Sequence, residues 1–245
     1  DVAWTRLAET AVAGNNTIKL VEPVGWAVGD EIFVASTSFS QFETEPATII
    51  AVRDGGMTLD LSQNLWYDHW GEGYRDPGGS AGRGGAMASW VGDDLVPEMR
   101  AEVGRLTRNV VVQGDDNSKR EQFGVQVVFS SDGDESLVGR LSNVEVRQTG
   151  QGLKLGKYPL HFHLVGEVKQ SYIANCSVHH ANNRAIAVHG VEYLTVKHNV
   201  LLDIRGHAIF IEDGTETRNT IAHNLIAVVR PVWSLLLVDQ SPAAL

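Results

Sequence analysis

The sequence lacks the features that would place it in several common protein classes. It contains one cysteine, Cys176, which excludes an intramolecular disulfide framework, and we expect this residue to be a buried small hydrophobe. No run approaches the roughly 18 apolar residues of a membrane-spanning helix, so we expect no membrane segment in this chain. The first residues also lack the basic start and apolar centre of a signal peptide, so any targeting segment would lie outside the chain.

Positive charge is scarce as well. The sequence has 20 Lys and Arg residues against 30 Asp and Glu residues, which gives a formal net charge of −10. Since tight binding to a polyphosphate backbone needs clustered basic residues, this composition argues against nucleic acid as a partner. An anionic polysaccharide is compatible with the charge only where local basic residues, such as Arg105, Arg108 and Lys154, outweigh the overall field.

Two motifs of common enzyme classes are also missing. The sequence has no His-Glu-x-x-His and no Gly-x-Gly-x-x-Gly that opens a helix after a strand. Their absence argues against a zinc protease of the His-Glu-x-x-His class and against a dinucleotide-binding enzyme. We expect no organic cofactor.

Glycine and short β-branched runs dominate what the sequence does contain. Its 25 glycines and 7 prolines, with frequent Val, Ile and Thr, favour many short strands joined by turns, so we expect an all-β protein. Residues 1–107 predict one β domain in which the last two strands form a hairpin, and residues 71–86 predict a long glycine-rich surface loop. The expected strands span residues 17–20, 31–34, 47–52 and 57–61.

Residues 108–245 have a different, repeating pattern. Segments 175–178 and 199–202 align at a spacing of 24 residues, and 224–227 follows 25 residues later. Segments 185–188 and 208–211 align at a spacing of 23. Periods of this size, with an apolar spacing of two inside each unit, predict a right-handed parallel β-helix rather than a helical repeat.

The C-terminal end of this repeat looks uncovered. Residues 234–238 form an apolar strand pattern that is followed by a proline turn and by no evident cap. Because a solenoid needs its end covered, we expect the β-helix to be truncated at the C-terminus.

Histidine is concentrated in the repeating region, where eight of the nine histidines lie between positions 161 and 223. Alternate residues of a strand share a face of the sheet. His161 and His163 are therefore expected to project outwards together, while Phe162 and Leu164 point into the core.

Stacking Gly166 on Gly190 brings a second polar strand beside this pair. Neighbouring strands are about 4.8 Å apart. The four outward residues that would then converge over small alanines are His161, His163, His189 and Glu212. Three imidazoles and a carboxylate suit a divalent metal such as Zn, Mn, Fe or Ni, with Ca also a candidate. The alternative is a solvated or hydrogen-bonded polar ladder without a metal.

Acid and base candidates follow directly. His207, Asp213 and Glu216 offer an imidazole and two carboxylates close to Glu212 in the sequence. Paired carboxylates can cleave a glycosidic bond, whereas a polysaccharide lyase needs a base and neutralisation of a uronate carboxylate. The residues do not choose between these routes, and Asp213 could simply begin a turn.

Two arginines are candidates for binding the carboxylates of a sugar polymer. The guanidinium groups of Arg108 and Arg184 match a carboxylate in geometry. Either residue could equally form a structural ion pair.

Five ordered motifs resemble a known family. They are WAVGDEI (26–32), AEVGRLTRNV (101–110), KYPLHFHL (157–164), VHG (188–190) and GHAIFIEDG (206–214). The first two resemble the G8 domain and its exit, and the others resemble the β-helix that follows it. Together they resemble the group of G8-domain and β-helix proteins that includes the cell-migration-inducing hyaluronan-binding protein, transmembrane protein 2 and the fibrocystin-like proteins. The resemblance spans nearly the whole chain and implies that the first β domain is G8-like.

This resemblance also implies a function. It points to an extracellular or cell-surface protein that depolymerises hyaluronan or a related polysaccharide, as a hydrolase or a lyase. It places Arg108, Asp115 and Asp116 where family members carry residues tied to activity. The alternative within the same family is a non-catalytic carbohydrate-binding or adhesion module.

Overall fold

The computed structural model of the chain describes residues 2–72, 98–131 and 136–232. The chain divides into two compact units, residues 1–104 and 105–245. Most of the predicted loop at 71–86 lies outside the described residues. The predicted strand at 234–238 and the expected truncated end also lie outside them.

The first unit is a single β-sheet. Its strands are β1 (Trp4–Arg6), β2 (Thr17–Lys19), β3 (Glu31–Val34), β4 (Glu45–Arg53), β5 (Thr58–Leu61) and β6 (Glu102–Arg105), in the order β1-β6-β3-β4-β5-β2. Strands β2 to β5 correspond to the four predicted strands, and β4 and β5 pair antiparallel as the predicted hairpin. Their alternating apolar residues are buried on one side of the sheet.

The turn of this hairpin depends on glycine. Asp54–Gly56 forms one turn of 3-10 helix in which Gly55 and Gly56 have φ values of 66° and 97°. A Cβ atom on Gly56 would lie 2.3 Å from the Val24 carbonyl oxygen. Only glycine satisfies both the left-handed backbone and this close approach.

The second unit is the predicted right-handed parallel β-helix. Its strands are β7 (Val110–Gln113), β8 (Val127–Ser130), β9 (Arg140–Ser142), β10 (Val144–Arg147), β11 (Leu160–Glu167), β12 (Tyr172–Ala174), β13 (Ser177–Ala181), β14 (Ile186–Glu192), β15 (Thr195–Lys197), β16 (Val200–Arg205), β17 (Ile209–Ile211), β18 (Thr220–Ala222) and β19 (Leu225–Arg230). A short helix, α1 (Ser118–Glu121), lies between β7 and β8. In the described parts of the chain no helix has the length and apolar character needed to cross a membrane.

Successive coils add one strand to each of three parallel sheets. Sheet 1 has the order β19-β16-β13-β10-β7, sheet 2 the order β17-β14-β11-β8, and sheet 3 the order β18-β15-β12-β9. A strand that crosses over to a parallel neighbour does so with right-handed geometry, because right-twisted strands pack back onto the sheet only that way. The three sheets enclose one apolar core.

Two of the predicted repeat spacings are confirmed. Ile186 pairs with Ile209, which is the spacing of 23 residues, and Val200 pairs with Leu225, which is the spacing of 25. Since paired residues occupy equivalent positions in successive coils, the apolar pattern located these coils correctly.

The spacing of 24 was wrong by one residue. Ser177 pairs with Val200, so Cys176 rather than Asn175 lies opposite Asn199. Asn175 instead occupies a corner with a left-handed backbone, which asparagine tolerates better than most residues. The left-handed column of corners is Asn143, Asn175, His198 and His223, with φ values of 56°, 55°, 55° and 54°.

The predicted stacking of Gly166 on Gly190 was also wrong. His163 pairs with His189, so β11 and β14 are offset by two residues from the predicted register. An irregularity between His163 and Gly166 then changes the register by one residue, so that Gly166 pairs with Val191 and is one residue from its predicted partner. Leu164 has a φ of 52° at this point and is 53% exposed, so it does not enter the core as expected.

The core beneath β11 is aromatic. Phe162 is fully buried, lies beside Val188 in the next coil and stacks on Phe129 of the preceding coil with ring centroids 4.4 Å apart. Cys176 is also fully buried and carries a free thiol, as predicted. These contacts fix the inner face of sheet 2 and leave its polar residues on the outer face.

Asparagine side chains connect the coils at the corner between sheets 3 and 1. The fully buried Asn199 accepts the Cys176 N–H at 2.9 Å and donates to the Ile173 carbonyl at 2.9 Å. Its side-chain amide also donates to Asn224 Oδ1 of the next coil, at 3.0 Å. Each asparagine thereby satisfies backbone groups that the turn leaves unpaired.

Replacing Asn199 by alanine should therefore destabilise the β-helix. Asn199→Ala leaves the Cys176 N–H and the Ile173 carbonyl buried without this partner, at a cost of about 1–3 kcal/mol for each group. We expect a loss of about 2–4 kcal/mol in chemical unfolding followed by circular dichroism. Lys197→Ala, in the adjacent strand β15, is the control and should unfold like the wild type. Equal unfolding midpoints for Asn199→Ala and the wild type would contradict the structural role of the asparagine.

Candidate functional site

The predicted polar cluster forms on the outer face of sheet 2. His161 and His163 lie on β11, and His189 lies on β14 directly opposite His163. Glu212 follows β17, where its backbone N–H donates to the Val188 carbonyl at 3.1 Å. Three successive coils thus bring together the four residues that the sequence predicts as metal ligands.

The side chains of this cluster meet at short distances. His163 Nδ1 lies 3.0 Å from His189 Nδ1, and His189 Nδ1 lies 3.4 Å from Glu212 Oε2. His161 Nε2 lies 3.8 Å from the same carboxylate oxygen. One ligand atom from each of the three histidines can be chosen so that all lie within 4.8 Å of one another.

Hydrogen bonds on the far side of two rings set their orientation. His161 Nδ1 lies 3.2 Å from the Gly156 carbonyl, and His189 Nε2 lies 3.1 Å from Asp213 Oδ2. A neutral ring that donates a proton to these acceptors keeps a lone pair on its other nitrogen. His161 Nε2 and His189 Nδ1 are the nitrogens left with lone pairs, and both face the centre of the cluster.

Two atoms at this centre are buried without a hydrogen bond in the described structure, His161 Nε2 and Glu212 Oε2. Burial, together with the neighbouring His163 and His189, lowers the pKa of His161 to about 4. His161 is therefore neutral near pH 7. A neutral imidazole is the form that binds a metal ion.

Tyr158 and Arg184 lie beside the cluster and are fully buried. The Tyr158 hydroxyl donates to Glu212 Oε1 at 3.0 Å and accepts from Arg184 at 3.3 Å. Burial raises the pKa of Tyr158 to about 12, so the hydroxyl keeps its proton. The Tyr158 ring packs with Ala187 and Phe210 as a second small apolar core on the outer side of sheet 2. The expected floor of small alanines is thus completed by aromatic rings.

The predicted saccharide ligand Arg184 is fully buried. Its guanidinium carbon lies 4.4 Å from the centre of the Phe210 ring, and its Nε donates to His207 Nδ1 at 3.3 Å. Arg184 therefore holds Tyr158 and His207 in place from beneath.

His207 is placed beside the cluster and is exposed. Its ring stacks on Phe210 with centroids 5.0 Å apart. Because Nδ1 accepts the bond from Arg184, the proton of the neutral ring is on Nε2. His207 can thus present an N–H group to a ligand.

The two predicted carboxylates differ in their surroundings. The Asp213 side chain is 52% exposed and contacts His189. Glu216 accepts backbone N–H bonds from Gly190 at 3.0 Å and from Asp213 at 3.3 Å. Burial by itself raises the pKa of Glu216, but these backbone bonds outweigh it and hold the pKa below its usual value. Glu216 is therefore ionised, and its carboxylate connects two successive coils through backbone N–H groups.

Arg108, Asp115 and Asp116 are not brought to the histidine cluster in the described structure. Arg108 is buried, and its guanidinium donates to the backbone carbonyls of Arg105, Thr107 and Asn175. Asp115 and Asp116 are exposed in the turn after β7, and Asp115 Oδ1 accepts bonds from the Asn117 N–H and the Ser118 hydroxyl, at 3.0 Å each.

Sequence reasoning missed the residues that enclose the cluster. Tyr158 and Gly156 were not predicted near the histidines, whereas Phe210 was predicted on the same outward face but without a role in covering them. Tyr158 lies in the KYPLHFHL motif, but it precedes the strand, where alternation carries no information about direction. A motif match was the only signal available for it.

A second buried polar network centres on Glu145. Its carboxylate is 3.2 Å from His179 Nε2 and 3.1 Å from an Arg147 nitrogen, and it accepts the Arg108 backbone N–H at 3.1 Å. Burial by itself raises the pKa of Glu145, but the bonds from His179 and Arg108 outweigh it and leave the pKa below its usual value.

Comparisons with known proteins point to one family. The family model described as CEMIP beta-helix matches residues 122–244. The chain is 37% identical to Fibrocystin-L of Homo sapiens, over 99% of this chain and 6% of that protein. It is 32% identical to a G8 domain-containing protein of Dictyostelium discoideum, over 94% of this chain and 18% of that protein. It is also 32% identical to Cell surface hyaluronidase CEMIP2 of Homo sapiens, over 88% of this chain and 15% of that protein.

The chain spans less than a fifth of the length of each of these relatives. Among solved structures, the tailspike protein gp49 from Pseudomonas phage LKA1 matches with a TM-score of 0.30 and 15% identity, over 91% of this chain and 38% of that chain.

The Glu145 network predicts a pH-dependent contribution to stability. A carboxylate whose pKa is lower in the folded state stabilises the fold above its unfolded pKa, and this contribution is lost as the pH falls through the folded pKa. Glu145→Gln should destabilise the fold at pH 7 by about 3–5 kcal/mol, the usual cost of breaking a buried charge pair. Thermal unfolding from pH 7 to pH 3 should show a smaller loss of stability with acid for this variant than for the wild type. Glu121→Gln, on exposed α1, is the control; an unchanged pH profile for Glu145→Gln would contradict the assignment.

Proposed function

The chain belongs to the CEMIP beta-helix family, and from this premise we propose that it depolymerises hyaluronan or a related glycosaminoglycan with the help of a bound divalent metal ion. The proposed ligands are His161, His163, His189 and Glu212. The observation that carries the proposal is the convergence of these four side chains. Two of their atoms, His161 Nε2 and Glu212 Oε2, are buried without hydrogen bonds. We propose that the protein acts outside the cell or at the cell surface, in keeping with the name of its relative CEMIP2.

The donor set fits a transition metal. Ligands at about 2.1 Å in a tetrahedron are about 3.4 Å apart. Three of the six separations among these ligand atoms, at 3.0, 3.4 and 3.8 Å, lie around this value, and the ligand atoms of the three histidines lie within 4.8 Å of one another. Three imidazoles favour Zn or Mn over Ca, which prefers oxygen ligands.

The surrounding bonds support the same assignment. Histidines that bind metals usually donate their other ring N–H to a carboxylate or a backbone carbonyl. Asp213 supplies that acceptor for His189, and the Gly156 carbonyl supplies it for His161. Tyr158 occupies one oxygen of Glu212 and leaves the other facing the cluster. In this proposal Asp213 positions His189.

When bound, a metal ion at this site would polarise a sugar oxygen or activate water. The chain's own residues supply the remaining requirements. Tyr158 and Phe210 pack beside the cluster on the outer side of sheet 2, and the exposed His207 can donate a hydrogen bond from its Nε2–H to a sugar oxygen. Glu216 is ionised and bound by backbone groups, so we do not assign it a proton-transfer step.

A carbohydrate-binding module without turnover is the second candidate. The observation that favours it is the extent to which predicted catalytic groups are engaged by the protein itself: Glu216 binds backbone N–H groups, and Arg184 is fully buried. Under this hypothesis the histidine cluster would hold a metal for structural reasons.

Metal content tests the site directly. After dialysis against zinc or manganese and removal of excess ions, we expect about one bound metal ion per wild-type chain, measured by elemental mass spectrometry. His163→Ala should lose most of it because it removes one ligand. Asp213→Asn should lower the affinity by about 10–100-fold because it weakens the bond to His189. The control is His223→Ala, which alters a stacked histidine pair at the corner between sheets 3 and 1 and should bind metal like the wild type. Full metal content in His163→Ala would refute the ligand set.

Polymer length tests the activity. High-molecular-weight hyaluronan incubated with the metal-loaded chain should shorten in size-exclusion chromatography. Addition of a chelator or the His163→Ala change should abolish the shortening, because both remove the metal. Unchanged polymer with the folded, metal-loaded chain would exclude depolymerisation by this chain, and co-elution without shortening would favour the binding module.

A further inference from the structure

A separate cavity lies at the carboxyl ends of three strands of sheet 1. Its volume is about 420 Å³, which is large enough for a monosaccharide unit. Strands β13, β16 and β19 end at its wall, and α1 lies beside it. The residues that line it are Lys119, Gln148, His180, Ala181, Asn182, Asp203, Arg205 and Arg230.

The lining carries an excess of positive charge. Lys119, Arg205 and Arg230 are cationic, and Asp203 is the single acidic residue among the described lining side chains. This excess occurs in a chain with a formal net charge of −10, so the cavity differs in sign from the protein as a whole. A cavity lined by charge of one sign concentrates ligands of the opposite sign.

Two of these cations are available to a ligand. Arg230 is paired with Asp203. Lys119 and Arg205 are both exposed, and within the described ranges neither forms an ion pair or a side-chain hydrogen bond. Two charged donors without an acceptor in the described part of the chain therefore face the same space.

One wall of the cavity is held by a buried chain of hydrogen bonds. The Glu145 carboxylate lies 3.2 Å from His179 Nε2, and His179 Nδ1 lies 2.8 Å from His180 Nδ1. Glu145 and His179 are buried, whereas the His180 side chain is 53% exposed in the wall. This chain fixes the His180 ring, so a polar group lines the cavity in a set orientation.

We propose that this cavity binds the carboxylate of an acidic sugar, with Lys119 and Arg205 as the charged donors. Gln148 and Asn182 add amide groups that can bond to sugar hydroxyls. Arg205 matches a carboxylate in geometry, and Lys119 contributes a mobile point charge. The arrangement supplies the local positive charge that an acidic chain needs in order to bind an anionic polymer.

The cavity and the histidine cluster are connected by a short segment of the sequence. Residues 182–185 connect β13, which ends at the cavity, to β14, which carries His189. A polysaccharide that crosses this turn would place one sugar in the cavity and a neighbouring part of the polymer near sheet 2. The inference rests on the proposed function only for the choice of polymer, since binding at the cavity requires neither the metal nor bond cleavage.

Calorimetric titration with a hyaluronan hexasaccharide tests the proposal. The wild-type chain should bind this ligand, and Lys119→Ala and Arg205→Ala should each bind it about tenfold more weakly, because each loses one charge-assisted hydrogen bond. Arg120→Ala is the matched control, since Arg120 lies next to Lys119 on α1 but pairs with Glu121. It should bind like the wild type. All variants are compared for folding by circular dichroism.

Chemically altered ligands identify the group that is recognised. The carboxyl-reduced hexasaccharide, which is neutral, should bind as weakly to the wild type as the acidic form binds to Arg205→Ala. Equal binding of the neutral and acidic forms would overturn the proposal. Equal loss of binding in Arg120→Ala would also overturn it, because it would indicate a general effect of surface charge, and so would a failure of the folded wild type to bind.

The His163→Ala variant separates this proposal from the depolymerisation. It should lose metal and cleavage while binding the hexasaccharide like the wild type. Cavity-dependent binding without any shortening of the polymer would leave the cavity proposal standing and reject the depolymerisation. Shortening of the polymer, together with unchanged binding by Lys119→Ala and Arg205→Ala, would support the depolymerisation and reject the cavity proposal.

Discussion

The in-register pairing of successive coils is the constraint on which the second unit depends. Each parallel pair holds its strands about 4.8 Å apart, so a residue of one coil lies directly beside its counterpart in the next. The contact between His163 and His189 is a consequence of the pairing of β11 with β14. A shift of one residue in that pairing would turn the histidines towards the apolar core. The backbone ladder therefore determines both the stability of the unit and the composition of its polar cluster.

The cluster differs from an ordinary solvated face of a sheet because it is enclosed. Arg184 lies under Tyr158 and Phe210, and these rings cover His161 and Glu212. A buried polar atom without a partner costs about 1–3 kcal/mol, and His161 Nε2 and Glu212 Oε2 both have this status in the described structure. Burial of the cationic Arg184 adds a further free-energy cost of desolvation. A fold that only needed stability would gain by replacing these groups with apolar ones, which agrees with a role for them in binding.

Much of the β-helix could be predicted from the sequence because coil spacing and strand alternation are local properties. Alternation placed His161 and His163 on the outer face. The register of β11 against β14 was wrong by two residues, yet the histidines still converge, because a shift of two preserves the face that each side chain occupies. The left-handed Leu164 and the irregularity beside it could not be read from an apolar residue in an apolar strand.

Other parts of the site depend on contacts between coils and could not be predicted from the sequence. The burial of Arg184 follows from the aromatic rings around it, which come from different coils. His198 and His223, which the sequence does not place in the site, occupy left-handed corners in the same column as two asparagines. These two histidines serve the geometry of a turn, and composition alone does not distinguish them from the clustered ones.

The distribution of the cluster over three coils limits how this β-helix can change in length. Repeat proteins commonly gain or lose whole units, since each unit contacts only its neighbours. Removal of the coil that contains β14 would leave a stackable solenoid, but it would take away His189 and bring Glu212 to a different neighbour. The coils that carry β11, β14 and β17 can therefore be inherited only together if the cluster is to be kept, whereas the cluster itself sets no limit on the number of coils on either side.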